Sequence, residues 1–326
     1  MGMLVNGQWV DRRPPADKGR FVRPESQFRR FITADGSSGF KAEPDRYHLY
    51  VAYGCPWAHR TLIFRKLKGL EDMVSVSIAH PGDRGEGWAF NDGFPGSTAD
   101  TVNCFVHLHE AYTAAKPDYT GTVTVPTLWD RETKTIVNNE SSEIIRMFNS
   151  PFDAIGAKAG DYYPAPLRHE IDAVNEFVYH HVNNGVYRTG FAASQEAYDE
   201  AVARVFAGLD ALEERLEQRR YLAGDEITEA DWRLFVTLVR FDAVYYSLFK
   251  CNLRRLESYH CLQNYLCELH QIPGIAATVR LDHIVRGYYS NLRVNPNGII
   301  PRVPLADFAR PHDRGKAGAS GQAQAA

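Results

Sequence analysis

The stretch Tyr53-Gly54-Cys55-Pro56-Trp57-Ala58-His59-Arg60-Thr61 is the part of this chain best equipped for chemistry. A proline suits the first position of a helix, where its missing N–H costs nothing, so Cys55 is expected at the N-cap. There the unpaired backbone N–H groups and the positive end of the helix dipole favour a thiolate over a thiol, and His59 and Arg60 add positive charge. A nucleophile at neutral pH is the expectation; the alternative is a buried, inert cysteine. Ala58 stands where a dithiol motif carries its second cysteine, so an adduct on Cys55 needs an outside thiol to remove it. Farther on, Asn138-Asn139-Glu140-Ser141-Ser142 reads as a helix start whose free N–H groups can hold an anion.

The flanking elements must position that cysteine. Tyr47 to Val51 is short, apolar and aromatic, as a buried strand should be, and Gly54 allows a tight exit from it. A helix from Pro56 to Lys68 and a strand from Met73 to Ile78 complete a βαβ unit, whose two strands should be parallel. Residues 80–103 form a long loop with Trp88, Phe90 and Phe94. A helix over 108–115 follows, then a strand over 122–130 with Pro126 inside it. Proline has no ladder donor, so Pro126 belongs at a strand start or edge, with a cis Val125–Pro126 bond as an option. Lys134 to Val137 closes a hairpin, and a helix runs to Phe148. From Leu167 onward the periodicity is helical, over 167–181, 194–219, 229–249, 258–270 and 273–286. Thr228-Glu229-Ala230-Asp231 reads as a capping box, which makes Asp231 structural.

Composition narrows the function. The 326 residues are 44% hydrophobic and carry 37 basic against 40 acidic groups, so neither nucleic acid nor an anionic membrane surface is an expected partner. The start shows no signal peptide, and Arg240 and Asp242 interrupt the most apolar run, 234–249, which argues against a membrane span. Five cysteines without a CxxC pair fit a reducing cytoplasm. His107-Leu108-His109 and His180-His181 lack a ligand set with zinc spacing, so no metal is expected. Cys251, Cys261 and Cys267 read as packing, and Arg60, Arg65, Lys66 and Lys68 as a mostly solvated helix face.

A thioredoxin-like βαβ-α-ββα domain with a Cys-Pro helix start, a Val-Pro strand and a Glu-Ser helix start, followed by an all-helical domain, resembles a glutathione transferase. Cys55 to Thr61, Val125 to Asp130, Asn139-Glu140-Ser141, Asn183-Asn184-Gly185-Val186-Tyr187, Arg240-Phe241-Asp242 and Asn295 to Ile299 resemble the xi class, the glutathionyl-hydroquinone reductases. The resemblance covers about residues 3 to 304. It implies an extension over 1–46, a glutathione-binding domain over 47–160 and a helical domain with a hydroquinone pocket over 161–304. Residues 305–326 read as a disordered tail.

The same resemblance implies Cys55 as nucleophile, with Trp88, Val125, Pro126, Glu140, Ser141 and Arg60 around glutathione. Tyr187 would be the proton donor, and Tyr245 and Tyr288 would complete a hydroxyl cluster beside the thiol. A cytoplasmic homodimer is implied, with glutathione as co-substrate and no metal. When sulfur is bound to a ring carbon, the leaving group is carbon, which asks for hydroxyl donors and an acid in an apolar pocket. A thiolate leaving group needs little help. An omega-like thiol transferase or dehydroascorbate reductase would therefore keep Cys55 and not need the tyrosines, and a binding protein of the same fold would need neither.

Overall fold

The computed structural model describes residues 2–11, 19–82, 85–302 and 307–314. The chain divides into two units, one drawn from Met1–Pro15, Arg23–Gly160 and Arg280–Asn291, the other from Ala16–Val22, Asp161–Val279 and Leu292–Ala326. One break falls between Gly160 and Asp161, and the segment from Arg280 to Asn291, assigned above to the helical domain, groups with the first unit.

The first unit starts with two strands that the sequence reading treated as extension, β1 (Met3–Val5) and β2 (Gln8–Val10). They pair antiparallel across Asn6-Gly7, whose φ values of 48° and 75° are both positive. An Asn-Gly pair favours such a two-residue turn, so the signal was present in the sequence. The four-stranded sheet has the order β4-β3-β6-β7, formed by β3 (Tyr47–Val51), β4 (Val74–Ile78), β6 (Thr127–Asp130) and β7 (Thr135–Asn138). β3 runs parallel to β4 and antiparallel to β6. Helices α1 (Pro56–Leu67), α2 (Leu108–Ala115) and α3 (Ser141–Asn149) complete the βαβ-α-ββα order. The strand expected over 122–130 is broken: β5 (Gly121–Thr122) pairs with β1, β6 begins at Thr127, and the Val125–Pro126 peptide between them is cis.

His48 on β3 is 1% exposed, with Nδ1 2.7 Å from Ser75 Oγ and Nε2 2.9 Å from Ser77 Oγ. Burial pushes its imidazole down to about 4, although Asp100 pulls the other way. The unfolded chain then takes up a proton near pH 6.5 that the folded chain refuses until about pH 4. Stability is full above pH 6.5 and falls as pH drops to 4, by about 3 kcal/mol from this group. Urea melts across that range should show the loss, and His48→Gln should flatten it.

In the second unit the helices are α4 (Arg168–Val178), α5 (Gly185–Gly190), α6 (Gln195–Gln218), α7 (Glu229–Leu238) and α8 (His260–Gln271). Two expected helices are shorter because π-helical turns interrupt them, Tyr179–Asn183 after α4 and Phe241–Tyr245 after α7. The helix expected over 273–286 begins only at α9 (Leu281–Tyr289), in the first unit. Asp231 is buried and accepts hydrogen bonds from Leu222 N, Thr228 N and Tyr265 Oη at 2.7–2.9 Å, which is a structural role. Among the described residues no helix is long and apolar enough to cross a membrane.

The expectation of a disordered tail needs correction for residues 307–314. Phe308 is buried, and the 3% exposed Arg314 donates to Leu216 O at 3.0 Å and to Glu268 Oε2 at 3.3 Å. A guanidinium with such partners anchors its segment on the helices. Residues 305, 306 and 315–326 of that tail lie outside the described residues.

Candidate active site

Cys55 is the N-cap of α1, with φ −79°, ψ 121° and Pro56 at the start of the helix. Its side chain is partly exposed and its Sγ lies 3.5 Å from Val125 O, the carbonyl before the cis proline. The thiol, the N-terminus of a helix and an irregular main-chain segment thus meet at one place. A thiolate there sits at the positive end of the α1 dipole, beside backbone that an extended peptide could pair with.

One and a half turns along α1, Arg60 is 2% exposed. Its Nη1 lies 3.5 Å from Ser141 Oγ at the start of α3, and its guanidinium stacks on Trp57 at 4.6 Å. Glu140 caps α3, accepting from Ser142 N at 3.0 Å and Ser142 Oγ at 2.9 Å. Burial pushes its carboxyl up, but those hydrogen bonds and the charges of Arg60 and Arg29 outweigh it and hold Glu140 below the ordinary range. It is therefore an anion at neutral pH, beside a helix N-terminus that could hold another. The helix face read as solvated needs correction. Arg60 and Lys68 are buried, Lys68 Nζ donates to Gly160 O at 2.7 Å, and Arg65 Nη2 donates to Glu71 O at 2.9 Å.

The extension reaches this site. Ser26 Oγ donates to Glu140 Oε2 at 3.2 Å, and the Arg23 guanidinium covers Trp57 at 4.8 Å. Trp57, just after the Cys-Pro pair, thus lies within reach of two arginines.

Residues 54–150 match the family model of the glutathione S-transferase N-terminal domain, and residues 195–266 that of the C-terminal domain. The chain is 54% identical over 323 residues to the glutathionyl-hydroquinone reductase YqjG of Escherichia coli strain K12, covering 96% of this chain and 98% of that one. It is 52% identical over 309 residues to the glutathionyl-hydroquinone reductase PcpF of Sphingobium chlorophenolicum, covering 93% and 96%. The xi-class glutathione transferase of Natrialba magadii has the same fold, with a TM-score of 0.90 at 47% identity over 97% of each chain. This chain belongs to the xi-class glutathione transferases.

The tyrosines of this xi-class chain fall in different units. Tyr187 on α5 and Tyr245 belong to the second, with ring centroids 6.2 Å apart. Tyr187 is half-buried and also packs on Phe21, Phe191 and Phe249, whereas Tyr245 is 0% exposed. Each follows or ends a π-helical turn, a feature often found at functional sites and without a signature in the helical period. Tyr288 lies on α9 in the first unit. Trp88 is in the segment after β4, half-buried, with its carbonyl accepting from Leu108 N at 2.9 Å.

Sequence reasoning missed the role of α9 at the thiol turn of this xi-class chain. A Cβ on Gly54 would stand 3.3 Å from His283 O and 4.0 Å from Gly287 Cα, so close approach of that helix, and not the strand exit alone, favours glycine there. His283 Nε2 donates to Pro95 O at 2.9 Å, and its ring packs edge-on against Tyr53 at 5.1 Å and Phe94 at 4.9 Å. Burial keeps its imidazole below the ordinary histidine range. Gly54→Val should therefore destabilise the fold by about 1–3 kcal/mol through overpacking. A wild-type midpoint in a denaturant melt would contradict that contact.

Proposed function

We propose that this enzyme reduces glutathionyl-hydroquinones to hydroquinones with glutathione as co-substrate. The observation that carries the reading is Cys55 at a helix N-terminus, 3.5 Å from the carbonyl before a cis proline. Val125 pairs main chain with the cysteinyl part of glutathione, Glu140 and Ser141 hold its γ-glutamyl end with Arg60 behind them, and Trp88 packs on it. YqjG and PcpF, named as glutathionyl-hydroquinone reductases, support the substrate class.

The chemistry has three steps. The hydroquinone conjugate tautomerises, losing a ring O–H proton and gaining a proton, from Tyr187, at the carbon that bears sulfur. The Cys55 thiolate attacks that sulfur, a sulfur–sulfur bond forms, the carbon–sulfur bond breaks, and its electron pair returns to the ring as an enolate that is protonated to hydroquinone. Tyr245 and Tyr288 donate to ring oxygens as charge develops there. A second glutathione thiolate then attacks the Cys55 mixed disulfide and leaves as glutathione disulfide, restoring Cys55.

Chromatography of glutathionyl-hydroquinone with excess glutathione tests the reading. One hydroquinone and one glutathione disulfide should form per conjugate consumed; an unchanged conjugate would overturn it. The glutathione-rich cytoplasm is the proposed compartment. A homodimer is the proposed assembly, and sedimentation as a monomer at micromolar concentration would refute it.

A further inference from the structure

We propose that Glu86, His107 and His109 form a surface site for one divalent transition cation, with zinc the best match to two imidazoles and a carboxylate. One ligand atom from each residue lies within 4.8 Å of the other two. Ligand atoms around a tetrahedral zinc stand about 3.3 Å apart, so side-chain rotation alone can close the set. His109 Nε2 is already 2.9 Å from Glu86 Oε2, and a cation would take the place of the proton between them.

The backbone explains why a His-Leu-His spacing works here. Two residues apart on a helix, side chains face different ways. His107, however, is extended, with φ −128° and ψ 148°, immediately before α2, so the pair alternates as in a strand and both rings come to one side. The two imidazoles are stacked, with centroids 5.4 Å apart and 9° between planes. Trp9 of β2 stacks on His109 at 5.3 Å, and His107 Nδ1 lies 3.9 Å from Glu110 Oε1. Glu86 is brought alongside by the antiparallel bridge of Ala89 with His107.

That partner, twenty-one residues before His107, is why the sequence spacing showed no ligand set. A bound cation would tie the segment carrying Trp88 to the start of α2.

Isothermal titration of zinc chloride into tag-free full-length protein tests the site, in a Cys55→Ser, Cys104→Ser, Cys261→Ser background that removes the two partly exposed thiols and the exposed one. One saturable zinc per chain is expected. Glu86→Gln, at an exposed position, should weaken it about tenfold, and His107→Asn with His109→Asn should abolish it. Nickel should quench fluorescence in this background, and Trp9→Phe should remove most of that quenching. Absence of saturable zinc uptake, or uptake unchanged in Glu86→Gln and in the double histidine variant, overturns the proposal.

Discussion

Tyr187→Phe should slow reduction of a glutathionyl-hydroquinone by roughly ten- to ten-thousand-fold, the span for losing a general acid. The substitution keeps the aromatic ring among Phe21, Phe191, Tyr245 and Phe249 and removes only the hydroxyl. With a small glutathione mixed disulfide the leaving group is a thiolate and no ring carbon needs a proton, so the variant should stay within a few-fold of wild type. Equal losses on both substrates would mean that Tyr187 acts on Cys55 or on glutathione binding in general. Loss on neither would make it a packing residue and favour the omega-like thiol transferase.

Cys55→Ala should lose activity on both substrates, by roughly a thousand-fold or more, because both reactions begin with attack by the same sulfur. The other cysteines offer no substitute at this helix start. Burial pushes the Cys251 thiol up to about 12, and burial with nearby Glu213 pushes Cys261 up to about 11. Cys104→Ala, at an exposed thiol, is the matched control and should leave the rate unchanged. Alkylation of Cys55 should reach half its plateau rate at a lower pH than a free cysteine does. A free-cysteine profile would remove the helix-dipole argument, and full activity in Cys55→Ala would remove the mechanism.

What could be read from sequence was local. Cys55 at the N-cap follows from Pro56 one residue later, and the βαβ unit from strand and helix periods around it. The cis bond before Pro126 was legible as an option because only an X-Pro peptide makes it common. The Asn6-Gly7 hairpin is equally legible, in the turn preference of that residue pair.

What was not legible depends on distant partners. Arg60 has the composition of a solvated helix face, and its burial beside Trp57 and Ser141 is tertiary structure overriding pattern. Gly54 answers to α9, more than two hundred residues on. The π-helical turns at 179–183 and 241–245 shift the helical phase by one residue, which a 3.6 period reads as continuation.

A single turnover without free glutathione tests the central claim most directly. Glutathionyl-hydroquinone mixed with an excess of reduced enzyme should release one hydroquinone per conjugate while intact-mass and peptide analysis place one glutathione on Cys55 in disulfide linkage. Added glutathione should then release it as glutathione disulfide. Hydroquinone that forms only after glutathione is added, or an adduct on another cysteine, would contradict attack by Cys55 on the conjugate's sulfur.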